Sequence, residues 1–155
     1  VAEALAWAKE NNMSFLEMLQ DIYLKYGFSR EEGISVVRPG KTGADEIVAM
    51  MKNFRANPQK SLGGSPVVTI KDYSDLNCTD VQTGKVEKMD FPTTSNVLQY
   101  FTADGSKISI RPSGTEPKIK FYIEVRGTMK SKADYAEAIK AAEAKTEMIK
   151  KELGI

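Results

Sequence analysis

An α+β fold, with helices packed on one face of a mainly antiparallel sheet, is what this sequence predicts. Three observations lead there. Apolar residues recur at helical spacing near both ends of the chain, and alternating apolar residues mark strands through its middle. Ala103-Asp104-Gly105-Ser106 joins two of those strands with the Asp-Gly pair typical of a hairpin.

The helices share one opening signal: Ser or Thr, then an acid three residues on, whose side chains satisfy the free N–H groups of a first turn. Ser14 with Glu17 opens the first; Leu16, Leu19, Ile22, Tyr23 and Tyr26 form its apolar stripe, and Gly27 ends it. Thr42 with Asp45 opens the second, which turns Ile47, Met50, Met51 and Phe54 inward and stops at Asn57-Pro58. Ser131 with Asp134 opens the third, carrying Ile139, Ala142, Ile149 and Leu153 to Gly154. All three stripes are expected in the core.

Between the helices, strand signals cover residues 34–37, 66–73, 96–101, 107–111 and 118–125. Residues 74–95 are polar and rich in turn formers, so they read as a long surface excursion. No internal repeat is visible.

Composition narrows the function. The 155 residues suit one domain, or one domain with the edge of another, and 41% hydrophobic residues suffice for a core. A net charge of +1 supplies no field to gather nucleic acid or an anionic membrane, so any anion site must be local. There is no histidine, which excludes a Ser-His-Asp triad and histidine metal sites together. Cys78 is the only cysteine; it excludes an internal disulfide and points to a reducing cytoplasm. The sequons at Asn12 and Asn77 come without a signal peptide and read as chance. No apolar run approaches the ~20 residues of a membrane helix. The chain opens at Val1 inside a helical pattern with no cap before it, as expected of a segment cut from a longer protein.

Gly40-Lys41-Thr42, between a strand and a helix, imitates a P-loop. The Walker pattern needs glycine at position 35, where Ser35 stands, and Pro39 removes an N–H the cradle would use. A plain strand-to-helix connection with Thr42 as N-cap is expected instead.

The chemistry concentrates in "SIRPSGTEPKIKFY", residues 109–122. If Ile108 and Ile110 face the helices, as do Ile119, Phe121, Ile123 and Val125, then Arg111, Lys118 and Lys120 share the open face. Pro112 and Pro117 stiffen the loop between them, and Gly114 lets the backbone approach a ligand closely. Ser113 and Thr115 add hydroxyls to the N–H groups of residues 113–115, and the Arg111 guanidinium offers a planar fork to two oxygens of one anion. The same residues would also serve as an ordinary hairpin loop, with Arg111 paired to Glu116 or Glu124.

With those residues in view, Arg-Pro-Ser-Gly-Thr-Glu-Pro-Lys at 111–118 resembles the phosphate-binding loop in the C-terminal domain of α-D-phosphohexomutases, the phosphoglucomutase/phosphomannomutase family. The likeness runs over about residues 14–155, through "SFLEMLQDIYLKYG" and "DGSKISIRPSGTEPK", and residues 1–12 resemble the final helix of the preceding domain. The resemblance implies a TATA-box-binding-protein-like fold for 13–155, set after other domains of a parent chain. It implies a cytoplasmic isomerase that moves a phosphoryl group between C1 and C6 of a hexose, with a phosphoserine and a Mg²⁺ ion on other domains. This domain would grip the phosphate that is not transferred, through Arg111, Ser113, Gly114, Thr115 and Lys120, with Lys118 and Glu116 ranked lower. No phosphoserine loop, aspartate-rich metal loop or sugar-reading loop is found, so no catalytic residue and no bound metal are expected here, and the isolated chain is expected to be inactive. Asp72-Tyr73-Ser74-Asp75 lacks a third carboxylate in register for a metal. A free-standing anion-binding module is the alternative. A nucleic-acid binder, raised by the basic-aromatic "KIKFY", is disfavoured by the near-zero net charge.

Overall fold

The computed structural model describes residues 1–155, the side chain of Lys41 excepted. Two helices, α1 (Ala2–Glu10) and α2 (Phe15–Tyr26), lead into β1 (Phe28–Val37) and then α3 (Lys41–Ala56). A run of strands follows: β2 (Ser61–Leu62), β3 (Ser65–Asp72), β4 (Asn77–Asp80), β5 (Val86–Lys88), β6 (Leu98–Thr102), β7 (Lys107–Pro112) and β8 (Lys118–Gly127). A 3₁₀ turn (Lys132–Asp134) opens α4 (Tyr135–Leu153). The sheet order is β1-β8-β7-β6-β3-β4-β5, with β2 paired to β3. Every pairing is antiparallel, as the sequence predicts.

Strand alternation decides which face is covered. Ile119, Phe121 and Ile123 of β8 and Ile108 and Ile110 of β7 are fully buried, and they join Ile47, Met51 and Phe54 of α3 and Ala142, Ile149 and Leu153 of α4 in one cluster. Each fully buried side chain of this size contributes roughly 1.5–3 kcal/mol, so this layer dominates the fold's stability. Tyr100 of β6 is also fully buried, and its hydroxyl donates 2.8 Å to the Phe54 carbonyl at the end of α3. Burial pushes its pKa up to about 12.

Charged side chains of the edge strand β1 reach the same helix layer. Arg30 pairs with Glu143 at 3.3 Å and Glu32 with Lys150 at 2.5 Å, tying β1 to α4. The Asp-Gly turn between β6 and β7 forms as expected, with Gly105 at φ 83°. Lys145 of α4 clasps its Asp104 carboxylate. Burial raises the Asp104 pKa, but hydrogen bonds from Lys145, Thr102 and Ser106 outweigh it and hold the carboxyl well below the usual range.

Four expectations are corrected. The α3 helix begins at Lys41, and its N-cap is Gly40 at φ 87° with no side-chain cap, so Thr42 lies in the first turn rather than capping it. Residues 74–95 are not only a loop: β4 and β5 fold from them and extend the sheet by two antiparallel strands. The stripe on α2 is not core. Leu16, Ile22 and Tyr26 are exposed, and Tyr23 reaches the sheet through an edge-on contact with Phe28, ring centroids 5.0 Å apart. Finally, β1 starts at Phe28, six positions before the predicted 34, because its first half is charged and hides the alternation.

The Ser14–Glu17 capping box is present. The Ser131–Asp134 box is also present, closing the 3₁₀ turn. No helix is long and apolar enough to cross a membrane among the described residues.

Candidate functional site

Because the buried row of β7 and β8 faces the helices, the alternate residues stand on the open side. There Arg111 and Lys120 are direct cross-strand partners. Arg111 is exposed and its side chain makes no ion pair or hydrogen bond among the described residues; the Lys120 side chain is half-buried and likewise without an ion-paired acid. Neither Glu116 nor Glu124 takes Arg111. Glu124 pairs with Lys107 at 2.7 Å and Arg126 at 2.8 Å, and Glu116 pairs with Lys118. The hydrogen bond and charge of Lys118 lower the Glu116 pKa.

The loop between the strands is held at its ends. Ser113 N–H donates 2.8 Å to the Lys118 carbonyl, and Lys118 N–H donates 2.7 Å to the Glu116 carbonyl. From outside, Arg38 N–H donates 2.9 Å to the Pro117 carbonyl, linking the loop to the connection between β1 and α3. That connection is tight: a Cβ on Gly43 would stand 1.8 Å from the Arg38 carbonyl oxygen.

These bonds revise the expected donor set. The Ser113 N–H is committed to the strand ladder and is not available to a ligand. The Gly114 N–H makes no bond among the described residues, and Thr115 N–H meets only the Ser113 hydroxyl, at a long 3.5 Å. What converges is therefore the Arg111 fork, the Lys120 ammonium, the Gly114 amide, the weakly held Thr115 amide, and two hydroxyls. They border a hollow of about 440 Å³ that also touches Glu116, Lys118 and Tyr122. A second hollow of about 390 Å³ lies on the loop's other side, against Ala44, Ile47 and Val48 of α3.

Two cations with free donors and no bound carboxylate are groups whose chemistry suits an anion. Tyr122 also stands on the open face; its spacing of two from Lys120 along the strand is the sequence signal for that placement. The acidic stretch at Asp72 has a structural duty instead. Its carboxylate takes both Arg55 Nε at 2.7 Å and Nη2 at 3.2 Å; burial raises its pKa, and these bonds with those from Ser74 prevail and lower it. Among the described residues no group of three His, Cys, Asp or Glu is gathered to hold a metal ion. The Mg²⁺ implied by the resemblance does not fit the donor set of this chain.

The class this fold and site define is an α+β domain that gathers two unpaired cations with backbone and hydroxyl donors at a hairpin tip. Residues 45–142 match the model for the phosphoglucomutase/phosphomannomutase C-terminal domain. The chain belongs to that family and carries its C-terminal domain. It is 35% identical over 116 residues to a phosphoglucomutase of Staphylococcus saprophyticus, a stretch covering 75% of this chain and 21% of that protein. A phosphoglucomutase of Staphylococcus haemolyticus is 31% identical over 117 residues, covering 76% and 21%. The chain thus spans about a fifth of the length of these curated relatives. A solved open form of parafusin, a phosphoglucomutase from Paramecium, aligns over 93% of this chain and 26% of its own, at 18% identity and a TM-score of 0.41.

Proposed function

We propose that this domain holds the non-transferred phosphate of a hexose phosphate while the rest of a parent phosphoglucomutase or phosphomannomutase moves the other phosphoryl group. Arg111 spans two phosphate oxygens, Lys120 supplies a second positive charge, and the Gly114 N–H with the Ser113 and Thr115 hydroxyls completes the grip. Lys118 and Glu116, already paired with each other, shape the rim. The observation that carries this reading is the pair Arg111 and Lys120, side by side on the open face and both without an acid partner.

The domain's contribution is orientation. Holding one end of the sugar fixes the other end against the reacting groups, and the binding energy of a non-reacting phosphate lowers the barrier when it is realised in the transition state. In this reading the Mg²⁺ ligands and the phosphoryl donor belong to other domains of a cytoplasmic parent, with residues 1–12 as the last helix of the domain before and 13–155 as the phosphate-binding unit. The isolated chain is accordingly inactive in isomerising glucose 1-phosphate.

Isothermal titration of the 155-residue chain with inorganic phosphate tests the grip. Binding near the millimolar level, on the order of −4 kcal/mol, is expected. Arg111→Ala should abolish it. Unchanged binding in that variant would move the site elsewhere.

A further inference from the structure

Tyr122 is half-buried on the open face, two residues along β8 from Lys120 and so about 7 Å from it. Among the residues lining the anion hollow it is the only aromatic one. Its hydroxyl makes no hydrogen bond among the described residues, whereas the neighbouring open-face groups are tied to one another: Tyr73 donates 3.0 Å to Gln99, and Gln99 donates 2.9 Å to Ser109. Opposite it on β1 stands Gly33, which is exposed. A Cβ there would lie 3.8 Å from the Tyr122 ring, so glycine at this position leaves that flank of the ring uncovered.

An uncovered aromatic ring beside a phosphate grip matches the chemistry of a sugar phosphate. A pyranose has a C–H-bearing face that packs on a π-system and a rim of hydroxyls that a phenol can both donate to and accept from. We propose that Tyr122 receives the hexose ring, stacking on its C–H face and hydrogen-bonding a ring hydroxyl while Arg111, Gly114 and Lys120 hold the phosphate. This role rests on the phosphate grip proposed above. It makes Tyr122 a residue that separates a sugar phosphate from a phosphate without a ring.

The test compares two probes on the 155-residue chain: glucose 1-phosphate, and methyl phosphate as a monoester lacking the ring. Tyr122→Leu should weaken glucose 1-phosphate by about threefold to tenfold, the range of an aromatic contact, and leave methyl phosphate within about twofold. Tyr122→Phe should restore the part due to stacking. Gly33→Val, which covers the ring without removing it, should reproduce the selective loss. Equal weakening of both probes by Tyr122→Leu, or none of either, overturns the role of Tyr122 and leaves the grip standing. A wild-type chain that binds neither probe overturns the grip and this role with it.

Discussion

Arg111 and Lys120 face each other directly across the β7–β8 pair, two cations in register with no acid between them. Four residues along the ladder, Lys107 and Glu124 occupy the same kind of cross-strand position and form an ion pair at 2.7 Å. Like charges opposite one another destabilise a sheet, and opposite charges support it. A local conflict of this kind is where a fold gives up stability for a site.

The first prediction follows from that conflict. Arg111→Gln and Lys120→Gln should each leave stability unchanged or raise it by about 0.2–0.5 kcal/mol. Both should lose phosphate binding. Urea unfolding beside a phosphate titration checks the two together. A marked loss of stability would show that the cations support the fold.

Gly43 is predicted to control the loop at a distance. An alanine there drives a methyl group into the Arg38 carbonyl, 1.8 Å away, and Arg38 is the residue whose N–H holds Pro117. Gly43→Ala should destabilise the domain by about 2 kcal/mol or more and disturb the amide signals of residues 113–118. Unperturbed loop signals would show that the Arg38–Pro117 bond does not set the loop.

Removing the Tyr100 hydroxyl should be costly despite its small size. Tyr100→Phe leaves the Phe54 carbonyl without its 2.8 Å donor, a loss of about 1–2 kcal/mol measurable by urea unfolding. The same group gives an alkaline signature. Its pKa is raised in the fold to about 12, so its contribution is complete below the ordinary value of 10.0 and falls away as pH rises between the two. Tyr100→Phe should flatten that alkaline decline.

At the acid end Asp104 acts with the opposite sign. Its folded pKa is depressed from 3.8, so its contribution is complete above that value and is lost as pH falls below it. Stability should decline with acid more steeply in the wild type than in Asp104→Asn. Parallel declines would remove Asp104 from the acid response.

What was legible in the sequence depended on how strongly each segment declared a period. The alternation in Ile108, Ile110, Ile119, Phe121, Ile123 and Val125 is unbroken, so the open face bearing Arg111 and Lys120 could be read directly. The strands β4 and β5 could not, being 4 and 3 residues of mostly polar chain held by their partners rather than by burial. The apolar stripe of α2 was visible as a pattern, but a pattern does not say what covers it, and Leu16 and Ile22 remain exposed. Thr42 misled because Gly40 at φ 87° lets the chain enter the helix earlier, a backbone choice no side chain announces. Within the site, residue types revealed the donors but not which were already engaged: the Ser113 N–H is taken by Lys118.

The most direct measurement is a two-dimensional amide-shift titration of the 155-residue chain with glucose 1-phosphate. Saturable shifts are expected at Gly114, Thr115 and their neighbours in 111–118, reaching Tyr122, and should disappear in a folded Arg111→Ala variant. Shifts centred elsewhere, or shifts that persist without the Arg111 guanidinium, would contradict the proposed phosphate grip.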